Sequence, residues 1–355
     1  MNRTSITTIA VVHALAAILC AQAYAQKPTR VGTTAASFLE VGYGAAGNAM
    51  GDAYVSMTND VSAIYWNPAG LANLEQTAAM FTMQPWIADI ATSFTAVGLV
   101  IPNIGTLGLG LTYVDYGEME VTNLAMQEGT GEKFASSDLA VSLSYARKLV
   151  HWFAFGASAK YVSSSIWHTN ASAIAFDLGV IVNTAFFSPS GEREHGMNIG
   201  MSISNYGTPL KYEGLDLVYP IDILPGEGGN YQDLQGQFRL RSWELPLIFR
   251  IGAAIHPLVT ANHEVTIAVD ALHPNNNNES VNVGGQYAIT LPSFGKVFFR
   301  GGYKALFMDE SQYGLSLGFG LAVNLLRNKG LKFEYAFRDV GIFDKTHSYG
   351  MSVMF

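Results

Sequence analysis

Histidine is the first side chain to consider for catalysis or metal binding in this sequence. After the first 25 residues, each histidine stands in or beside a predicted turn, and no two have the spacing of a metal site. No serine pairs convincingly with a histidine and an acid, as a hydrolytic nucleophile requires. We therefore predict a protein that is not an enzyme, with no catalytic residue, no metal site and no cofactor. The histidines concerned are His151, His168, His195, His256, His263, His273 and His347.

Two other stretches contain residue types that bind ions or phosphates. "PNNNNES", residues 274–280, offers oxygen ligands for Ca²⁺ but is more typical of a solvated loop. "GYGAAGNAMGDAYVS", residues 42–56, has glycines that superficially resemble a phosphate-binding loop. No βαβ unit surrounds them, and no Gly-Lys-Ser/Thr follows. These glycines instead predict tight backbone packing in a confined space.

Residues 1–25 are predicted to be a signal peptide. Arg3 gives a short positive start, an apolar stretch follows, and Ala23–Ala25 offers a small-x-small cleavage site. We place the start of the mature chain at Gln26. Cleavage removes Cys20, the only cysteine, so the mature chain has no disulfide or thiolate site.

The composition indicates a membrane protein without membrane helices. Charged residues make up 14% of the chain, against roughly 25% in typical soluble domains. Yet no mature segment reaches the roughly 18 unbroken apolar residues that a membrane helix needs. Low charge with many glycines is typical of an outer-membrane β-barrel, in which apolar residues occupy alternate positions. The formal net charge of −8 and the lack of a basic stripe argue against nucleic acid as a partner.

Alternation with a period of two is the strongest pattern in the chain. Between Tyr313 and Leu325 the odd positions are apolar and the even positions are Gly, Ser, Ala or Asn. A soluble sandwich would carry many exposed Lys and Glu on its polar face, whereas small residues with occasional charges suit a crowded, wet barrel interior. This favours a membrane barrel over a soluble β-protein. Inward charges are predicted at Lys160, Asp177, Arg250, Asp270, Arg300, Lys304, Lys332, Glu334 and Arg338.

We predict about fourteen strands, an even number as expected for a single-chain bacterial barrel. The longest connections, 117–136 and 206–242, fall on the same side, which we expect to be extracellular. The last strand ends on the aromatic residue Phe355, which resembles an assembly signal for the barrel assembly machinery. The strand cores are predicted at 76–85, 91–101, 105–116, 137–147, 151–163, 172–183, 196–205, 243–255, 263–271, 279–290, 297–307, 313–325, 330–339 and 347–355.

"SAIYWNPAGLANL" precedes the first predicted strand and does not alternate. Asn67 can cap a helix with its side-chain oxygen, and Pro68 fits the first helical position because its φ is fixed and it lacks a donor. A helix of one or two turns is not stable alone in water. It therefore needs surrounding walls.

The lumen of a barrel can supply those walls, with Tyr65, Trp66 and Leu71 packed against it. We therefore predict an all-β fold. Residues 76–355 would form a transmembrane antiparallel β-barrel, and residues 26–75 would form an N-terminal hatch, or plug, inside its lumen. The alternative is a periplasmic N-terminal arm with a local turn.

"AAGNAMGDAYVSMTNDVSAIYWNPAGLANL" resembles the N-terminal hatch of FadL-like outer-membrane proteins. Their Asn-Pro-Ala motif stands here as Asn67, Pro68 and Ala69, followed by Gly70. The fuller pattern, with Met-Gly-x-Ala-Tyr-Val before Tyr65, Trp66 and this motif, is similar to the PorV/PorQ branch. The rest of the chain resembles the family in architecture, since FadL-like proteins are fourteen-stranded barrels with a hatch.

This resemblance implies a bacterial outer-membrane protein, surrounded by lipid, that works without catalysis in type IX secretion. PorV-like proteins receive and carry secreted cargo through the cargo's C-terminal domain, and other secretion components are further partners. The apolar connection 206–242 offers a docking surface, although it could equally fold over the barrel mouth. Its candidate docking residues are Tyr212, Leu217, Tyr219, Ile221 and Ile223.

FadL-like proteins also suggest a second function, the passive transport of hydrophobic small molecules such as long-chain fatty acids. "EMEVTNLAMQEGT", residues 118–130, and the connection 206–242 could form an apolar entry groove for such molecules. The predicted inward charges suit a structural ion network better than a hydrophobic conduit. An apolar pocket beside the hatch remains compatible with the sequence.

Overall fold

The structure is a computed structural model that describes residues 30–228, 233–308, 310–325 and 329–355. The predicted signal peptide, residues 1–25, lies outside the described residues. In the described part of the chain, no helix combines the length and the apolar character of a membrane span.

Fourteen long strands of the described residues form the wall of a closed antiparallel β-barrel. Each wall strand pairs with its neighbours in sequence, and the ring closes where Ala78 of the first strand pairs with Met354 of the last. The predicted number of strands is therefore confirmed. The wall strands are β1 Ala78–Pro85, β2 Ala91–Ile101, β3 Gly105–Glu120, β4 Lys133–Val150, β5 Phe153–Ile166, β6 Thr169–Asn183, β7 Asn198–Gly207, β11 Ile248–Val259, β12 His263–Pro274, β13 Ser280–Leu291, β14 Gly295–Leu306, β15 Leu315–Asn324, β16 Gly330–Asp339 and β17 Lys345–Met354; three short strands, β8 Glu213–Gly214, β9 Val218–Ile221 and β10 Leu234–Gln237, lie between β7 and β11.

The connections divide the barrel into two unlike ends. One end, called the long-loop end, carries the connections 121–132 and 208–247. The other, called the short-turn end, carries turns such as 102–104 and 292–294, with 184–197 as its long exception. This division follows the predicted one, and we expect the long-loop end to face outward from the cell.

The first long connection is shorter than predicted, because β3 and β4 continue further toward the long-loop end. The prediction ended β3 at residue 116, but its pairing with β4 continues after a register shift to Glu120 opposite Lys133. The added residues are mostly polar, so they do not continue the apolar alternation that marked the strand. Backbone hydrogen bonding extends the ladder where side-chain pattern gives no signal.

The two faces of the wall differ as the alternation predicts. On β15, Leu317 and Phe319 point outward and are 48% and 42% exposed. Ser316, which precedes Leu317 and faces inward, is fully buried. The outward rows of all wall strands together form a broad apolar belt. Such a belt suits contact with lipid, and the inward rows are free to be small or charged.

Residues 34–77, called the inner segment, contact inward-facing positions of many wall strands. The helix Ala45–Ala49 contacts β14 to β17, and the 3₁₀ helix Pro68–Asn73 contacts β3 to β6, so the segment touches well-separated parts of the wall. Its other helices are the 3₁₀ helix Ser37–Glu40 and the α-helix Ala63–Trp66. Single 3₁₀ turns elsewhere are Ile87–Asp89, Arg193–His195, Leu215–Leu217 and Gly341–Phe343.

Candidate functional site: the inner segment and its anchors

A buried aromatic cluster holds the inner segment together. The indole N–H of Trp66 donates to the carbonyl of Tyr43 at 2.8 Å, and the hydroxyl of Tyr65 donates to the carbonyl of Leu39 at 3.1 Å. The rings of Tyr65 and Trp66 meet edge to face at 4.9 Å. These two residues therefore pack mainly against the segment itself, whereas the prediction had them packing on the barrel wall. The polar groups of both rings thus find acceptors inside the protein, as buried Tyr and Trp usually do.

Two positions of the segment require glycine because neighbouring atoms come too close for a side chain. A Cβ on Gly47 would lie 2.6 Å from ring atoms of Trp66. Gly51 has φ +62°, and a Cβ there would lie 2.5 Å from the backbone nitrogen of Tyr303 on β14. A side chain at either position would push the segment apart or away from the wall. The glycine-rich stretch thus serves close packing.

Asn67 joins three parts of the molecule. Its side-chain oxygen accepts from the backbone N–H of Ala69 at 3.2 Å and caps the 3₁₀ helix that begins at Pro68. Its amide donates to the carbonyl of Val55 at 2.8 Å and to the carbonyl of Val180 on β6 at 3.1 Å. Asn67 is fully buried, so its polar atoms depend on these hydrogen bonds because water does not reach them.

The other motif residues surround this cap. Pro68, Ala69 and Gly70 are buried, and the N–H of Gly70 donates to the carbonyl of Asn67 at 2.9 Å. A Cβ on Gly70 would lie 2.2 Å from the hydroxyl of Thr58. The sequence motif therefore forms a compact turn, and the atoms around it leave no space for a side chain at Gly70.

Inward glycines of the wall make room for the segment's backbone. A Cβ on Gly179 of β6 would lie 2.0 Å from the side-chain oxygen of Asn67, and one on Gly284 of β13 would lie 2.4 Å from the carbonyl oxygen of Met50. The small residues on the polar face of the strands thus match the shape of the segment. Other wall glycines in such contact are Gly156, Gly200 and Gly302.

Asp52 is the first charged anchor of the inner segment. Its carboxylate pairs with Lys304 on β14 at 2.7 Å and also with Arg338 on β16. Arg338 additionally donates to the side-chain oxygen of Asn48 at 3.0 Å, and the amide of Asn48 donates to Gln84 on β1 at 2.8 Å. Asp52 thus connects the segment to β14 and β16, and Asn48 extends the connection to β1.

Asp60 is the second charged anchor. It pairs with Lys332 on β16 at 3.2 Å; Lys332 also pairs with Glu334, which in turn pairs with Arg300 on β14, each at 2.9 Å. Burial alone would raise the pKa of the Asp60 carboxyl, but Lys332 and the hydrogen bonds from Ser62 outweigh it and hold that pKa below its usual value. Asp60 is therefore an anion at neutral pH.

The remaining predicted inward charges also lie inside the wall. Asp270 accepts from the backbone N–H groups of Tyr54 and Val55 at 2.7 and 2.8 Å, so it holds the segment without a cation. Lys160 and Asp177 pair with each other at 2.6 Å. The interior is thus a network of charges and hydrogen bonds, as the polar inward face predicts.

Asp52, Asp60 and Asn48 are the functional candidates that the sequence reading missed. Each is a polar residue in a segment that is rich in glycine, alanine and larger apolar residues. That contrast was the available signal, because a charge kept in a segment predicted to be enclosed requires a partner. The partner residues lie far along the chain, so no local sequence pattern identifies them.

The predicted docking residues divide into two groups. Tyr219, Ile221 and Ile223 are 52%, 45% and 56% exposed, on or just after β9 of the hairpin that β9 and β10 form in the 208–247 loop. Tyr212 is half-buried and its hydroxyl bonds Ser164 on β5 at 2.7 Å, and Leu217 is also half-buried. Only the first three therefore lie together on an exposed apolar surface.

The histidines are spread over the barrel: His151, His168 and His195 lie in connections, and His256, His263, His273 and His347 lie in wall strands. His168 pairs with Asp216 at 2.9 Å at the long-loop end, and His256 pairs with Glu264 at 3.1 Å near the short-turn end. Within the ranges that the structure describes, no three His, Cys, Asp or Glu side chains group as metal ligands. A cavity of about 630 Å³ at the short-turn end is lined by both polar and apolar groups, including Asp60 and Lys332.

Phe355 lies at the closure of the ring. Its backbone N–H donates to the carbonyl of Thr77 at 2.9 Å, and its side chain is 57% exposed on the outward face. The terminal aromatic residue thus belongs to the apolar belt. Its role as an assembly signal remains a prediction.

Solved structures with the same fold are outer-membrane transporters and channels. The chain is similar to the CymD monoaromatic hydrocarbon channel (12% identity, TM-score 0.56, 88% of this chain and 96% of that one). It is also similar to the Pseudomonas putida toluene transporter TodX (14%, 0.54, 88% and 97%) and to a Pseudomonas aeruginosa FadL homologue (10%, 0.52, 88% and 98%). At such identities the likeness concerns the fold alone.

Sequence comparison identifies the family. No curated protein matches the chain, but the model of the family described as type IX secretion system protein PorV matches residues 24–229. This match covers more than half of the chain, including the whole inner segment and strands β1 to β7. The chain therefore belongs to the PorV family of type IX secretion system proteins and is built as a bacterial outer-membrane β-barrel.

Proposed function

We propose that this protein is a non-catalytic component of type IX secretion that receives or carries secreted cargo at its long-loop end. The observation that carries the proposal is the PorV family match over residues 24–229, which includes the start of the 208–247 loop. Further partners in this proposal are other secretion components, and the barrel assembly machinery during insertion.

The hairpin of β9 and β10 supports a docking role for this loop. Its exposed apolar side chains include Tyr219, Ile221, Ile223 and Phe238, and the rings of Tyr219 and Phe238 meet at 5.0 Å. Exposed aromatic and aliphatic residues of this kind are typical of the core of a protein interface. The proposed partner is the C-terminal domain of a secreted cargo protein.

The second part of the proposal concerns the inner segment, which we take to be a hatch that closes the lumen. Its support is the set of anchors at Asp52, Asp60 and Asn67, which bind it to several wall strands. A closed lumen would let the barrel display cargo without leaking solutes through the outer membrane. In this proposal the mature chain divides into a hatch at 26–75 and a barrel at 76–355.

Passive transport of hydrophobic small molecules is the alternative. Its support is the fold likeness to transporters and channels, which carries no information on substrates at this identity. Against it stand the buried ion pairs around Asp52 and Asp60, which oppose the passage of apolar solutes. We therefore prefer the secretion role.

Capture of cargo from solution tests the docking proposal. The purified barrel in detergent is mixed with a labelled C-terminal domain of a type IX cargo from the same cell, and we expect binding. The triple variant Tyr219→Ser, Ile221→Ser and Ile223→Ser should weaken binding at least about tenfold, as loss of an apolar hot spot does. Leu124→Ser, at a 97% exposed position of the 121–132 connection, is the matched control and should bind normally. Equal binding by the triple variant would contradict the docking proposal.

A further inference from the structure

The 208–247 loop binds the first residues of the inner segment. The N–H of Ala35 donates to the carbonyl of Glu244 at 2.9 Å, and Thr34 and Glu244 form a parallel β-bridge. On the other side, the amide of Asn276, in the connection after β12, donates to the hydroxyl of Thr34 at 2.8 Å. Both contacts come from connections at the long-loop end.

Apolar packing strengthens this attachment. Phe38 and Leu39 are each 4% exposed and belong to one cluster with Leu210 and Leu245 of the loop. The same cluster includes Val114, which lies in the half of β3 nearest the long-loop end. Burial of these apolar side chains away from water stabilises the attachment.

The other end of the segment lies at the opposite end of the barrel. Leu74 packs closely on Gly98: a Cβ at Gly98 would lie only 2.7 Å from a methyl group of Leu74. Gly98 is close to the short-turn end of β2. The carbonyl of Thr77 accepts a hydrogen bond from the backbone N–H of Phe355, the residue that follows β17. The segment therefore runs through the lumen from the long-loop end to the short-turn end.

We infer that the inner segment enters the barrel from the long-loop end, where the 208–247 loop clasps it, so that residues 31–33 emerge on the same side of the membrane as the exposed hairpin. Val31 is 66% exposed, consistent with a position outside the lumen. The loop that carries the exposed hairpin is thus also the loop that fixes the start of the segment. The inference is independent of which partner the hairpin binds.

Cysteine labelling on intact cells tests the direction of entry. Four single variants, Val31→Cys, Gly228→Cys, Glu75→Cys and Ser293→Cys, are made in the mature chain, which then has one thiol each. Gly228 marks the long-loop end, and Ser293 marks the short-turn end. We expect an impermeant maleimide to label the variants at 31 and 228 on intact cells, and those at 75 and 293 only after the outer membrane is permeabilised.

Comparing the labelling of residue 31 with that of residues 228 and 293 tests the inference whichever way the barrel is oriented in the membrane. Labelling of 31 together with 228 supports the inference, even if both require permeabilisation. Labelling of 31 together with 293 and apart from 228 would overturn it. Cargo binding is not part of the readout, so failure of the proposed function leaves this result intact.

The clasp itself is tested by the accessibility of a buried position. In a Leu39→Cys background, Leu210→Ala should raise the rate of maleimide labelling at residue 39 by about tenfold, the effect of losing about 1.4 kcal/mol of local stability. Leu215→Ala is the matched control at a 74% exposed position of the same loop, and it should leave the rate unchanged. Heat-modifiable migration confirms that each barrel is assembled. Equal rates in both variants would show that the loop does not hold the segment.

Discussion

Gly284 and Gly285 are neighbours on β13, yet they face different surroundings. A Cβ on Gly284 would meet the carbonyl oxygen of Met50 at 2.4 Å, whereas a Cβ on Gly285 would meet only the carbonyl of Thr266, at 3.9 Å. The inward face of the wall is shaped to one polypeptide segment, and the outward face is an unspecific apolar surface. The inward face therefore depends on particular residues, whereas the outward face depends on hydrophobic character.

Loss of the terminal aromatic residue tests the outward face and should have the largest effect. Deletion of Phe355 removes a side chain of the apolar belt and the backbone bond to Thr77. We expect poor insertion and degradation of most of the protein, measured as heat-modifiable barrel in outer-membrane fractions. Phe355→Tyr keeps an aromatic ring and should assemble normally. Normal levels of the deletion variant would show that the residue is not a signal.

Removal of a buried anchor tests the inward face. Asp52→Asn leaves Lys304 and Arg338 without their carboxylate, and breaking a buried ion pair typically costs about 3–5 kcal/mol. We expect a lower unfolding temperature in the gel-shift assay and a leakier barrel. Glu118→Gln breaks the exposed pair with Lys133 and should cost at most about 1 kcal/mol. Equal effects of the two variants would contradict the anchoring role of Asp52.

The two adjacent glycines offer the sharpest form of the comparison. Gly284→Val forces side-chain atoms against Met50, and overpacking of this kind costs about 1–3 kcal/mol. Gly285→Val points outward and should be neutral or slightly stabilising, because β-branched residues suit strands. Unfolding temperature and bilayer conductance of both variants measure the difference. Similar behaviour of the two would mean that the segment does not press on the wall.

The helix cap should give the smallest effect. Asn67→Ala removes the cap and also the donor to the carbonyl of Val55, with an expected cost of about 1 kcal/mol. Pro68→Gly loosens a fixed φ and should cost less than about 1 kcal/mol. Protease sensitivity of the segment in an assembled barrel measures both. Asn67 also touches β6, so a small drop in barrel stability is expected too.

The barrel was predictable because its signal is local. β16 occupies residues 330–339 both in the prediction and in the structure, since apolar and polar residues alternate along all of it. The anchors were not predictable in the same way. Asp52 and Arg338 are separated by most of the chain, and no local pattern records that they meet.

Exposure within the 208–247 loop was equally beyond the sequence. Tyr212 and Tyr219 are of the same type in the same loop, yet one bonds Ser164 on the wall and the other is exposed on the hairpin beside Phe238. The path of a long loop depends on contacts with strands that are distant in sequence. Composition therefore predicted an apolar loop but not which of its residues are available for docking.

Electrical recording from planar lipid bilayers tests the central claim most directly, namely that the inner segment closes the lumen. The full barrel is compared with a variant that lacks residues 26–74, after both are shown to be heat-modifiable and membrane-inserted. We predict that the deletion opens a water-filled pore lined by Lys304, Lys332 and Arg338 and raises the single-channel conductance well above that of the full chain. An intact barrel with unchanged conductance would contradict the claim and would make the segment an arm that does not plug the pore.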